Sequence, residues 1–364
     1  MKYNFIFLTY GSLMLATPRI ALENGTLCSA CHINPTGGAL RNSHGIEIVS
    51  LDELPASDNS RFYPDNYSGI LNDFLRVGGD FRVQAFSYEE NLRRENRLIP
   101  MQAEIYGWLF LSRQLGFYVE ADLSPGGYGQ EYWALFQSGD RNGWLKVGKA
   151  LPNYGLRLDN HSAFIRGGAV RQSYGIITNF LPFSPTARKP VLVEGGFTVK
   201  HNIRFTVSAG ESLAPAVEPG FTTFTGMIQL YGHNPFSRHQ ISLQYMQQND
   251  QHLVGLSGGI GNPHFTLLAE INRVTANNHI QSLVLYEEFT WTVIQGFHVT
   301  GTYEFVDPDQ ALKTGSLSRF TTGIDYFPVP LVEILFQVRA YRANTILNDI
   351  GNAPEYIIQL HTWF

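Results

Sequence analysis

The only two cysteines of the chain stand together in Cys28-Ser29-Ala30-Cys31-His32. Two thiols spaced by two residues, with a histidine directly after the second, are what covalent haem attachment requires. Each thiol adds to a haem vinyl group as a thioether, and the histidine reaches the iron. Other chemistries of a cysteine pair fit less well. A structural disulfide across so short a span is strained, closes a trivial loop and has no use for His32. A thioredoxin-like dithiol needs a βαβ context that the flanking sequence lacks. Zinc needs further ligands at finger spacing, and there is no second cysteine pair. A lipidated cysteine needs a small residue before it, whereas Leu27 precedes Cys28.

The residues after the motif must fold it. Asn34-Pro35-Thr36-Gly37-Gly38 reads as a tight turn lying over one face of a haem. From residue 46 the chain turns polar, with Pro55, Ser57, Asp58, Asn59, Ser60 and Pro64. This predicts a haem c module of residues 21–54 followed by a linker of residues 55–72. The second iron ligand stays open. His44, His161 and Met101 are candidates, with Met227 and Met246 also inside predicted strands, and a five-coordinate iron is the remaining case.

Upstream, Lys2 and the short apolar stretch 3–16 read as a secretory signal peptide over residues 1–20, cleaved after Ala16 or Ala21. The whole chain has 364 residues, of which 44% are hydrophobic, 13% aromatic and only 16% charged. Soluble domains carry about 25% charge, so much of this surface does not face water. A membrane helix needs about 20 apolar residues in a row. The longest run here, residues 5–16, is broken by Thr9, Tyr10, Gly11 and Ser12. A membrane β-barrel satisfies both observations. With 25 Phe and 18 Tyr the chain is not disordered, and a net charge of −5 gives no footing for nucleic acid.

Period-two alternation confirms the barrel class. Leu75, Val77, Phe81, Val83 and Ala85 share one face, with Arg76, Asp80, Arg82 and Gln84 opposite. Phe297, Val299, Tyr303 and Phe305 alternate with His298, Thr300, Thr302 and Glu304 in the same way. Apolar-out, polar-in alternation is what lipid on one side and water on the other demand. Several runs reach ten residues, longer than the ~5–6 of a typical sandwich strand. The rhythm predicts an all-β, antiparallel barrel of about sixteen strands over residues 73–364, the first two at 74–88 and 101–112 and the last at 354–364. Short turns such as 113–115, 200–202 and 261–263 alternate with mostly longer connections such as 89–100, 211–221, 307–316 and 343–353. This is the outer-membrane pattern, with both termini periplasmic. Phe364 ends the last strand with an aromatic, which resembles the assembly signal of such barrels.

One connection, residues 150–190, is far longer than the rest, and loops of that length are usually functional. It is expected to fold inward as a constriction, or to reach the haem through His161 or Arg166. Arg76, Asp80, Arg82, Glu104, Glu270, Glu333 and Arg339 face the lumen and offer polar partners to a plug. The module is therefore expected inside the barrel, with the 150–190 loop over it.

A small haem module ahead of a roughly sixteen-stranded barrel resembles the outer-membrane monohaem c-type cytochrome–porin fusions, the group that includes bacterial outer-membrane iron-oxidising cytochromes. The sequence-specific part of the resemblance is CSACH; its continuation, INPTGGALRNSHG, marks a sibling group. The resemblance implies thioether attachment at Cys28 and Cys31, iron ligation by His32, and one covalent haem c. It implies a bacterial outer-membrane protein that passes electrons between an extracellular metal or other redox donor or acceptor and a periplasmic cytochrome or other redox carrier, with the lipid bilayer as its surroundings. Electron transfer is expected ahead of classical enzyme catalysis, with ferrous iron oxidation left open. The alternative is a diffusion porin whose haem head binds or senses a small ligand. A peroxidase-like enzyme fits least, since only Arg41, Asn42, Ser43 and His44 could serve beside the iron.

Overall fold

The computed structural model describes residues 18–24, 26–57, 67–90, 93–123, 130–139, 142–158, 162–166, 189–200, 202–213, 221–276, 280–312, 314–344 and 353–364. The expected signal peptide up to residue 17, linker residues 58–66 and His161 lie outside the described residues. A short helix α1 (Pro18–Asn24) and a wide helical segment (Gly45–Glu53) flank the cysteine motif. Then comes β1 (Ile70–Asn72), which pairs only briefly with β2 (Leu75–Glu90).

Sixteen strands follow one another around a closed antiparallel barrel. After β2 they are β3 (Arg93–Phe110), β4 (Leu115–Asp122), β5 (Tyr132–Gln137), β6 (Gly143–Lys149), β7 (Val191–Val199), β8 (Ile203–Glu211), β9 (Phe221–His233), β10 (Arg238–Gln248), β11 (Gln251–Asn262), β12 (Phe265–Ala276), β13 (Ile280–Ile294), β14 (Phe297–Asp307), β15 (Ser316–Tyr326), β16 (Val332–Asn344) and β17 (Glu355–Trp363). Closure comes from β17 pairing with β2, from Tyr356 opposite Ser87 to Trp363 opposite Asp80. A closed sheet leaves no unpaired edge, which is what backbone in lipid requires. At the end where Phe364 lies, connections between strands are two to five residues long; the 150–190 segment joins β6 to β7 at the other end.

The polarity is that of a lumen. On β12, Leu267 and Ile271 point outward, while Thr266, Glu270 and Asn272 point in and are buried. Val254, Leu256 and Ile358 form part of the same outer apolar band. The inner face carries ion pairs instead. Lys146 Nζ lies 2.5 Å from Glu194 Oε1, and Arg319 Nη2 lies 2.5 Å from Glu304 Oε2. Lys146 and Glu194 are both fully buried. Removing one partner leaves an uncompensated charge, so Lys146→Ala should lower barrel stability by about 3–5 kcal/mol. Lys146→Met combined with Glu194→Leu should recover most of that loss, as read by urea unfolding in detergent micelles.

One expected loop is a correction. Residues 89–100, charged and polar, were expected to connect strands, but β2 runs on to Glu90 and β3 begins at Arg93. Cross-strand pairing supplies the reason: Glu89 faces Arg94 and Tyr88 faces Glu95. The Arg94 Nε donates to Ser87 Oγ at 2.9 Å, and the Arg94 and Arg97 guanidiniums stack on Tyr356 and Tyr88. Opposite charges placed directly across a ladder stabilise it rather than interrupt it.

The lumen is filled from both ends. Residues 18–57 sit in the half nearest the short turns. Arg19 pairs with Asp325 at 2.6 Å, Arg204 donates to the Pro35 carbonyl and Ser29 Oγ, and Arg76 donates to the Arg41 carbonyl. Trp363 Nε1 donates to Ser50 Oγ, and Gln295 Nε2 holds the carbonyls of Asp52 and Pro55. From the opposite end, the described residues 150–166 of the long connection fold inward. The Leu156 and Phe164 amides donate to Glu270 and Glu304, at 2.6 and 2.8 Å, and Tyr154 donates to Asn272. Inward-facing carboxylates thus satisfy backbone donors of a buried loop that could not otherwise leave water.

Candidate functional site

Cys28–Ala30 form a single turn of 3₁₀ helix, closed by the Cys31 and His32 amides, both donating to the Cys28 carbonyl. The chain then reverses. Asn34 fixes the reversal: its Oδ1 accepts from the Thr36 amide and hydroxyl, and its Nδ2 donates to the Gly37 carbonyl. Gly37 and Gly38 have φ of +88° and +84°, conformations that glycine enters without steric cost. A Cβ on Gly37 would also stand 2.9 Å from Cys28 Cβ. The returning strand pairs with the motif through the Ile33 amide to the Leu40 carbonyl and the Asn42 amide to the Cys31 carbonyl. Asn42 Nδ2 further donates to the Ala30 carbonyl at 2.8 Å. Gly45 packs against the Cys31 carbonyl, only 2.3 Å from where its own Cβ would stand. The sequence after CSACH therefore folds into a clamp on the motif.

His32 is buried and its Nδ1 lies 3.3 Å from the Ala39 carbonyl. With Nδ1 carrying the proton, Nε2 is the nitrogen with a lone pair, the usual arrangement of a ligating histidine. Burial pushes the Cys31 thiol up to about 12 and raises Cys28 as well, the guanidiniums of Arg204 and Arg157 opposing the latter. Among the described residues no group of three or more His, Cys, Asp and Glu is arranged to hold a metal ion.

Cys28, Cys31 and His32 line one cavity of about 270 Å³ inside the barrel, where a single water needs ~10–15 Å³ by the same measure. Its other walls include Asp80 and Arg82 on β2, Met101, Gln102, Glu104 and Tyr106 on β3, Glu120 and Asp122 on β4, and residues 151–154 and 156–158 of the inward loop. The charges here are mostly matched. Lys189 reaches Glu120 at 2.6 Å and Glu131 at 3.7 Å, while Asp80 accepts from His361 and Tyr106 and lies 3.7 Å from Arg41. Arg157 lies beside Gly38 and donates to Thr36 Oγ1.

The structure sorts the sequence candidates. Met101 and Arg166 both line the cavity, although Arg166 is committed to Glu270 at 3.0 Å. His44 caps the Gly45–Glu53 segment and does not line the cavity, nor do Met227 and Met246, which are buried elsewhere. Sequence reasoning missed Arg157, Lys189 and Tyr106. Their spacing carries no motif, and only the closure of the barrel brings them to the cysteines.

Sixteen antiparallel strands, closed by the first on the last, with an apolar outer band, a polar lumen and an inward-folded long loop, decide the architecture. The barrel has the porin fold. No protein-family model and no curated protein matches the chain. Solved structures of porins do. The anion-selective porin from Comamonas acidovorans superposes with a TM-score of 0.57 at 10% identity, covering 80% of this chain and 99% of its own. The outer-membrane channel DcaP of Acinetobacter baumannii gives 0.56 at 9% identity, covering 80% and 97%. The outer-membrane protein OmpT of Vibrio cholerae gives 0.53 at 10%, covering 80% and 99%. The chain is a closed sixteen-stranded barrel with the fold of these outer-membrane porins. Residues 18–57 are held within the lumen of this barrel.

Proposed function

We propose that this barrel is an outer-membrane c-type cytochrome, carrying one haem c attached at Cys28 and Cys31 and ligated by His32. It serves to pass electrons between an extracellular donor or acceptor, ferrous iron among them, and a periplasmic redox carrier. One observation carries the proposal: the three side chains of the only CxxCH motif line a single cavity within the lumen, between plug and inward loop. Bound there, a haem supplies a one-electron iron couple held within the thickness of the membrane.

The residues present fit the group. Cys28 and Cys31 are not joined in a disulfide, His32 has its Nδ1 on a backbone carbonyl, and the glycines at 37 and 45 leave no Cβ against Cys28 or the Cys31 carbonyl. Arg41, Arg82 and Arg157 in the cavity wall would hold the two carboxylates of such a cofactor by charge-assisted hydrogen bonds. A lumen filled from both ends counts against the alternative of a diffusion porin with a sensing head.

The test is vectorial. The purified protein is reconstituted into vesicles enclosing an oxidised soluble cytochrome c, and a membrane-impermeant reductant is added outside. The trapped cytochrome should be reduced with the intact protein and not with a Cys28→Ala, Cys31→Ala variant. Equal rates with both would end the conduit reading.

A further inference from the structure

We infer that Met101 would supply the second protein ligand to the haem iron, a step that rests on the haem reading above. The observation is a break in strand register. On β3, Gln102 pairs with Arg82 while Pro100 pairs with Val83, so Met101 is an extra residue in the ladder. A β-bulge of this kind re-aims a side chain, and bulges concentrate beside functional sites. In an uninterrupted strand the period of two would send Met101 outward with Ala103 and Ile105, because Gln102 and Glu104 face in. Instead Met101 and Gln102 both border the cavity that holds Cys28, Cys31 and His32. Pro100, which has no N–H to give the ladder, sits at the irregularity as proline in a sheet usually does.

The other donors on that cavity are less suited. Tyr106 donates its hydroxyl toward Asp80 and Glu104, at 3.0 and 2.5 Å. Lys189 is held by Glu120 and Glu131. The Met101 thioether is neutral and soft, and methionine opposite histidine is a ligand pair of electron-transfer haems that raises the potential. Met101 also borders a second polar cavity, with Arg82, Gln84 and Arg339 among its walls. Placed on the iron, its sulfur would separate that space from the metal and deny small ligands a coordination position.

The experiment uses the full-length protein purified with its haem, and carbon monoxide as the probe. Haem staining on a denaturing gel reports attachment and hence the reading beneath. The weak far-red sulfur-to-iron band of the ferric form reports the ligand. The intact protein should show the band and, when reduced, take up little carbon monoxide. Met101→Leu should keep the stain, lose the band and bind carbon monoxide readily. Met101→His should remain low-spin without the band, at a lower midpoint potential, which tests the position even if the leucine variant folds poorly. A stained protein without the band, or a band that survives Met101→Leu, overturns the ligand assignment alone. Absence of stain from the intact protein overturns the haem reading and this inference with it.

Discussion

Changing both Cys28 and Cys31 to Ala is expected to abolish haem that survives denaturation, while the barrel still migrates with heat-modifiable mobility. Each single change should remove most of the stain. The separation between the two readouts follows from how the segment is held. Residues 18–57 are anchored by Arg19 to Asp325, Arg204 to Pro35 and Ser29, Arg76 to Arg41 and Ser43, and Ser50 to Trp363. None of these contacts uses a thiol. A cysteine shortened by one sulfur costs the plug a small buried group, which is within the usual ±1 kcal/mol or so of a tolerated core change. Stain remaining after both substitutions would mean that haem, if present, is held otherwise than by thioethers.

How far the sequence alone could go is set by which interactions are local. Alternation is local: Arg76, Asp80 and Arg82 against Val77, Phe81 and Val83 declare the faces of a strand without reference to its neighbours, and the barrel class followed. CSACH is local too, as is the turn built on Asn34 and the two glycines after it. What failed depended on pairing. The stretch from Glu89 to Arg97 looks like a loop by composition, and becomes strand only because Glu89 meets Arg94 and Tyr88 meets Glu95 across the ladder. The turn of Met101 into the lumen is a register event between β2 and β3, and Pro100, which the alternation left in the connection before the strand, is its one local sign. The long-range partners of the site, Arg157 with Thr36 and Lys189 with Glu120, lie 121 and 69 residues apart and exist only once the barrel closes.

Conductance should respond most strongly of all. An open sixteen-stranded barrel encloses an aqueous channel, yet here two segments meet within it. The short-turn half holds residues 18–57. The other half holds the inward loop, tied by the Leu156 amide to Glu270, the Phe164 amide to Glu304, and Arg319 to the Ser162 carbonyl. These ties are buried and charge-assisted and hold each segment to the wall, and Arg157 donates to Thr36 Oγ1 between the two segments, so neither leaves the lumen without breaking several of them at once. The intact protein in a planar bilayer should therefore conduct little. Deleting residues 22–66, which keeps the export signal and both expected cleavage positions, exposes Arg204 and Arg76 to water, which can satisfy them, so the barrel should still assemble. Conductance should rise severalfold, to that of a porin narrowed by one inward loop. Adding Glu270→Ala and Glu304→Ala, which release the loop, should raise it again. If the intact protein already conducts like an unobstructed porin, the segment does not occupy the lumen in the membrane. The cysteines would then lie outside the bilayer's hydrocarbon thickness of about 30 Å, and a single cofactor there could not serve both sides.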